Sequence, residues 1–396
     1  MIHKYLKMGK LFNHGSLITM ETQMTLRERF LALMEYKPVD QVPNWELGLW
    51  GHTRQRWLNE GAKPEQIDGD WFSGIDALGF DRREFVNIHM GMSPGFESKV
   101  IEKTDRYEVI LHGNGIVTKA LIDNTVGGTR ASMDQYLRFP IENIDDLRDM
   151  KKRYDPTDPK RYPQNWQERV PTWRDRKHTL ILGVNCCTGF YGVARAWMGT
   201  ENLSLAFYDQ PELCEEMFEF IADFVIEVTT PILKETDFDY FNFFEDMACV
   251  SGPLMGPASF KRFVFPHYRR AIDHLKKNGV KYVSLDSDGN TEPLIPLFLD
   301  MGVDAHWPFE RASNMDPNRI KSQYGKQLRI WGGVDKRELT KGHKEIDNAL
   351  KELVPLVEGG GFIPTVDHTF PPDISWDNFC YYMEQKKKLL NGSFGR

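Results

Sequence analysis

Residues 280–290 read V-K-Y-V-S-L-D-S-D-G-N, an apolar alternation that flips abruptly to Asp286, Ser287, Asp288, Gly289 and Asn290. Alternation of this kind reads as a short buried strand, and the two carboxylates then stand at its C-terminal end before a glycine turn. Similar polar ends recur further along and once before: Glu245-Asp246 after 239–244, Glu310 after 304–309, Asp335 after 329–331, and Asp367-His368 after 362–366. So many carboxylates cannot share a dehydrated pocket uncompensated, because like charges raise each other's pKa; a cation or a proton has to be held among them. One imidazole with two or three carboxylates is a workable donor set for Zn²⁺ and other divalent ions, whereas Mg²⁺ rarely takes a His. The bland alternative is an Asx-rich turn in which Asp288 caps the next helix, with the remaining acids capping helices or pairing with Arg and Lys.

The elements that must position these groups follow from the rhythm after residue 178. Strands at 178–184, 239–244, 280–285, 304–309, 329–331 and 362–366 alternate with helices at 211–230, 259–278, around 293–301 and at 344–358. Strands alternating with helices of that length predict a parallel sheet. With no G-x-G-x-x-G turn in the series, a closed TIM-like (β/α)8 barrel is favoured over a dinucleotide fold. A barrel brings strand ends to one mouth, and the end of the 178–184 strand adds Cys186, Cys187, Phe190 and Tyr191 there.

The N-terminal part carries different signals. A capping box, Thr25 with Glu28, starts a helix that Pro38 stops. Residues 39–50 suggest a first strand beside a pocket, and Trp45, Glu46, Trp50, Arg54 and Trp57 follow one another there. These rings either wall a site for a ring-bearing substrate or simply pack a lid. Residues 97–129 alternate around the turn His112-Gly113-Asn114-Gly115, which predicts an antiparallel hairpin excursion able to cover a barrel end. Residues 144–173, charged and rich in Pro, read as an exposed connector.

Length and composition set outer bounds. At 396 residues the chain exceeds one average domain, yet one barrel with insertions reaches this size, so residues 25–396 read as a single domain behind a flexible extension, 1–24. The first nineteen residues lack the apolar core and cleavage site of a secretory signal, and no run of apolar residues is long enough for a membrane span. A formal charge of −7 argues against a nucleic-acid binder. Five cysteines, none in C-x-x-C spacing, fit a reducing cytoplasm better than a disulfide scaffold.

The strings G-F-Y-G-V-A-R-A-W-M-G, E-D-M-A, L-D-S-D-G-N, I-W-G-G-V-D-K and V-D-H-T-F-P-P-D-I-S-W-D-N-F together resemble the uroporphyrinogen decarboxylase superfamily. Their order and spacing carry the resemblance, from about residue 25 to 390. It implies a TIM-like barrel, a homodimer, and one of two chemistries, decarboxylation or zinc-dependent methyl transfer to a corrinoid. The decarboxylase string R-Q-A-G-R, which binds substrate carboxylates, is replaced here by L-G-L-W-G-H-T-R-Q-R-W. The H-x-C pair that holds zinc in the thiol methyltransferases is replaced by Asp286 and Asp288, with Asp367 or His368 near the place of the later Cys. An oxygen-rich site suits an oxygen-bearing substrate such as a methoxyl group better than a soft thiol.

The expectation is thus a metal-dependent methyltransferase that moves a methyl group from a methoxylated aromatic compound to a corrinoid carried by a separate partner protein. The expected metal ligands are Glu245, Asp286, Asp288 and His368, with zinc first among the ions. Tyr191, Arg195 and Asp246 are the catalytic candidates. Trp45, Glu46, Trp50, Arg54, Phe190 and Glu310 are candidates for holding substrate, and Asp335 for supporting the ligands from behind. A decarboxylase of another acid and a non-catalytic barrel that binds a small molecule or a corrinoid stand as alternatives.

Overall fold

The structure is a computed structural model that describes residues 23–74, 76–126, 129–130, 133–183 and 187–395. The extension up to residue 22, and Val184 and Cys186 at the end of one expected strand, lie outside the described residues. Seven strands form one parallel sheet: β1 (Arg83–Val86), β6 (Thr179–Leu182), β7 (Phe238–Phe244), β8 (Val280–Asp286), β9 (Ala305–Trp307), β10 (Arg329–Trp331) and β11 (Phe362–Ile363), neighbours in that order. Between β1 and β6 the chain makes a four-stranded antiparallel sheet, β2 (Lys99–Lys103), β3 (Tyr107–Leu111), β4 (Val117–Leu121) and β5 (Gln135–Arg138). The expected antiparallel excursion is present, as four strands rather than a hairpin of two.

The eighth stave of the barrel is not a ladder. Residues 42–50 run extended between the two sheet edges, donating and accepting singly: Asp81 N–H to Asn44 O at 2.9 Å on one side, Phe370 N–H to Gly48 O at 2.9 Å and Trp50 N–H to Phe370 O at 3.3 Å on the other. Pro43 has no N–H to give and Gly48 sits at φ 129°, so a regular ladder cannot form there although the position in the barrel is that of a first strand. The first laddered strand is instead the short β1, which the alternation did not mark.

Period-two alternation sorts the side chains into two apolar layers. Ile181, Tyr240, Ala305, Trp307, Trp331 and Ile363 face the barrel interior, which the helix Leu26–Met34 closes with Phe30, Leu33 and Met34. Its Thr25–Glu28 capping box is present. Phe241, Phe243, Val283 and Leu285 face the other way, into the larger layer beneath the outer helices. Two expectations fail on prolines and polar caps. The connector at 144–173 contains helices Ile144–Lys151, capped by Asn143, and Trp166–Arg174. The expected helix at 344–358 is two, His343–Lys351 and Val354–Gly359, because Pro355 restarts the helix at a position where its missing N–H costs nothing. No helix among the described residues is long and apolar enough to cross a membrane.

Candidate active site

Strand parity decides which of the polar strand ends meet. On β7 the inward residue Asn242 accepts hydrogen bonds from Ser284 Oγ at 2.6 Å and Trp307 Nε1 at 2.9 Å, inside the barrel. Glu245 shares the parity of Phe241 and Phe243, opposite to Asn242, and its carboxylate accepts the N–H groups of Phe190 at 2.7 Å and Gly192 at 2.8 Å beneath the outer helices, facing the Tyr268 hydroxyl. Burial raises its pKa to about 7 against the pull of those N–H groups. Glu245 therefore ties the loop 189–192 to the end of β7 rather than reaching the mouth. The loop lies so close that a Cβ on Gly189 would stand 2.0 Å from the Phe244 carbonyl oxygen, which explains the glycine in G-F-Y-G.

Asp286, on the parity of Ser284, does reach the mouth. It is half-buried, and burial followed by the charges of Asp288 and Asp246 lifts its pKa well above the carboxylate range. Asp288 Oδ2 lies 3.2 Å from His368 Nε2, and Thr369 Oγ1 lies 2.8 Å from His368 Nδ1. Burial alone would lower the His368 pKa, but the Asp288 hydrogen bond and charge outweigh it, and the net shift is upward. The Trp50 ring, 41% exposed, stacks on this imidazole with centroids 6.0 Å apart and planes 11° from parallel. Asp246, at a left-handed φ of 50° uncommon for a non-glycine residue, accepts from Arg195 Nη2 at 3.1 Å. Glu310 accepts from Gly289 N–H at 3.0 Å and from Lys336 Nζ at 2.9 Å. The structure thus gathers Asp246, Asp286, Asp288, Glu310, His368, Arg195 and Trp50 around one mouth. Lys336 is the charged member that sequence reasoning missed, although it closes the quoted string I-W-G-G-V-D-K.

Other expected members do not join them. Trp45 is buried inside the barrel against Phe30, Tyr240 and Trp331, with the Arg83 guanidinium 4.4 Å from its ring centroid. Glu46 is fully buried and serves the core: it accepts from Lys386 Nζ, from Tyr382 Oη at 2.6 Å and from Val366 N–H at 2.9 Å. Arg54 pairs with Asp68 at the surface. Trp57 is core, donating to Ile374 O at 2.8 Å. Phe190 is buried and stacked on Tyr268 at 4.3 Å. Tyr191 is buried in the outer layer, its hydroxyl without a hydrogen-bond partner among the described residues, and burial pushes its pKa up to about 12. Asp335 pairs with Arg337 at 2.7 Å. Asp367 is buried and accepts from Arg311 N–H at 2.9 Å and Lys336 N–H at 3.1 Å, so it stitches two loops together; burial raises its pKa to about 6. Each of these side chains is taken up by packing, by backbone donors or by an ion pair that a one-dimensional reading cannot place.

Of the expected metal ligands, Asp286, Asp288 and His368 come to one mouth and Glu245 does not. Glu245 belongs to another layer, and among the described residues no three His, Cys, Asp or Glu side chains form a group that could hold a metal ion. The mouth offers Asp286, a carboxyl whose hold on its proton is strengthened by burial and by the charges of Asp288 and Asp246. Beside it opens a cavity of about 710 Å³ under the antiparallel sheet, with Phe244, Arg195 and Asp246 on its inner wall.

The model of the uroporphyrinogen decarboxylase (URO-D) family matches residues 137–389. Among solved structures, a methyltransferase from Methanosarcina mazei is similar with a TM-score of 0.58 at 15% identity, covering 92% of this chain and 99% of that one; a likeness at this identity is one of fold. A Xaa-Pro dipeptidase with bound methionine in its active site matches at a TM-score of 0.27 and 11% identity, covering 58% of this chain and 65% of that one, too low to carry an argument. No curated protein matches the sequence.

Proposed function

Because the chain belongs to the uroporphyrinogen decarboxylase family, we propose that it is a methyltransferase that takes the methyl group of a methoxylated aromatic compound for delivery to the corrinoid of a partner protein. The observation that carries this reading is Asp286, a carboxyl at the mouth whose pKa is raised well above its ordinary value by burial and by the charges of Asp288 and Asp246. When a methyl group leaves an ether, the electrons of the broken carbon–oxygen bond stay on oxygen, and a positioned acid that protonates that oxygen stabilises the departing alkoxide or phenolate. Asp286 supplies the proton. The partner's corrinoid supplies the nucleophile that accepts the methyl group.

The charges at the mouth favour this substrate over an acid. Among the described residues, basic side chains at the mouth already face carboxylates, Arg195 on Asp246, Lys336 on Glu310 and His368 on Asp288. A decarboxylase has to clamp a substrate carboxylate, and here that carboxylate would displace an internal partner and lie among four acidic side chains. A neutral ether has no such cost. The fold likeness to a methyltransferase agrees with the reading without deciding it.

The test is direct. The protein and a reduced corrinoid protein are incubated with a panel of neutral methoxybenzenes and methoxyphenols and, separately, with candidate acids, and methylcorrinoid and demethylated product are followed in parallel with carbon dioxide release. Stoichiometric methylcorrinoid and phenol are expected. Carbon dioxide from a candidate acid with no demethylation would replace this reading by the decarboxylase.

A further inference from the structure

Resting on the methyl-transfer reading, we propose that the cavity beneath the antiparallel sheet holds the body of the substrate, and that the substrate is a methoxylated aromatic of two or more fused or linked rings. Size is the first argument. An apolar cavity of about 150 Å³ accommodates one benzene ring, and the space here, about 710 Å³, is several times larger and lies within the range of pockets built for multi-ring ligands.

The lining is the second. Met92, Phe139, Val193, Trp197 and Phe244 present apolar surface, while Arg195 and Asp246 stand on the wall shared with the mouth, where Asp246 acts on Asp286. Tyr136 lies parallel to Phe139, centroids 5.6 Å apart and planes 13° from parallel, giving a flat aromatic face whose outer ring is half exposed. Such a face suits a planar guest. A ring system lying there points its near end at the Arg195–Asp246 pair and so brings a terminal methoxyl toward Asp286.

The origin of the walls is the third. Met92, Asn114, Ile116, Met133 and Tyr136 come from chain that precedes the family-matched region, 137–389. The barrel supplies the acid and residues before 137 supply much of the room, which separates the determinant of substrate size from the determinant of chemistry.

The test reads binding, not turnover. Methoxybenzene and 2-methoxynaphthalene are titrated into the full chain by calorimetry and by tryptophan fluorescence, since Trp197 lines the cavity. The second ring is expected to tighten binding about tenfold or more. Ala196, exposed on the helix Tyr191–Met198 and facing the cavity, is replaced in Ala196→Trp to fill the space; its two-ring affinity is expected to fall about tenfold with an unchanged thermal melt. Tyr136→Ala, on the exposed roof, is expected to weaken the two-ring probe about two- to tenfold. Equal binding of the one-ring and two-ring probes by the parent, or parental two-ring affinity in both variants, overturns the proposal. A cavity that passes while no methyl group reaches a corrinoid overturns the methyl-transfer reading and leaves the aromatic pocket standing.

Discussion

Asp286 is held between two other carboxylates, and its role follows from that crowding more than from its own chemistry. Asp286→Asn keeps the shape and hydrogen-bonding reach but has no acidic proton to give. Turnover is expected to fall about 10²- to 10⁴-fold, the usual contribution of a positioned acid, while binding of ring probes is retained. In the parent, kcat/KM should decline as pH rises through the raised Asp286 pKa, because only the protonated form donates. An Asp286→Asn protein that demethylates at the parental rate would remove Asp286 from the chemistry. Asp288 acts one step away. In Asp288→Asn the imidazole of His368 loses the charge that holds its pKa up against burial, so its titration, followed by the ring-proton NMR shifts, is expected to move to lower pH. No movement would mean that the 3.2 Å pair does not persist in solution. At this scale the sequence was legible where a motif named a side chain and its strand parity together: Asp286 and Asp288 could be placed because the strand before them alternates cleanly. Glu245 and Glu46 look no different in one dimension. Their positions depend on which backbone N–H groups and which lysine the fold brings to them, and nothing in their neighbours' types encodes that.

Among the elements, the loop from Gly189 into the helix Tyr191–Met198 does most to place the site, because it carries Arg195 and is fastened to β7 by Glu245. Gly189→Ala places a methyl group against the Phe244 carbonyl at a separation no real Cβ adopts. The loop has to move, at a cost of about 1–3 kcal/mol by the measure of overpacked sites, and the Arg195–Asp246 contact should loosen with it. A parental melt together with parental ring-probe binding would show the approach to be less tight than 2.0 Å implies. The extended stave 42–50 depends on a different fastening, the buried pair of Glu46 with Lys386 from the final helix, Trp376–Leu390. Removing one partner strands a buried charge, so Lys386→Met is expected to lose about 3–5 kcal/mol in urea unfolding, and Glu46→Gln with Lys386→Met together should recover part of it. A double variant no better than the single one would deny the pair its coupling. Element type was legible from the alternation wherever a strand met the long helical period, as for β7, β8 and β10. It was not legible for β1, whose four residues include two charges, nor for the stave at 42–50, whose ladder is cancelled by Pro43 and Gly48.

Over the whole molecule, the buried carboxyls bias stability toward acid. Glu245 is raised from 4.5 to about 7 and Asp367 from 3.8 to about 6, both chiefly by burial. The folded chain keeps protons that the unfolded chain releases, so their contribution is fully present below the unfolded pKa values and is lost as pH rises through about 6 and then 7. Asp286 acts in the same sense. Glu84 acts oppositely: the His178 hydrogen bond in particular, with help from Trp173 and Arg169, outweighs burial and lowers its pKa to about 2, so its contribution is present above 4.5 and disappears only as pH falls through about 2. Between pH 4.5 and 7.5 Glu84 is therefore constant, while the buried His306, lowered from 6.5 to about 4 by burial, changes in the opposite sense to the carboxyls, so only the difference between parent and variant isolates Glu245. Taking each pKa unit as about 1.4 kcal/mol, Glu245 accounts for a loss on the order of 3 kcal/mol across that window. Glu245→Gln removes the titration but turns an NH₂ group toward backbone N–H donors, which costs about 1–3 kcal/mol at any pH. Urea midpoints measured through the window should show the variant well below the parent at pH 4.5, with the gap narrowing or reversing by pH 7.5. Parallel curves would mean that Glu245 is charged throughout, and the two N–H donors of the 189–192 loop would then be stronger than burial.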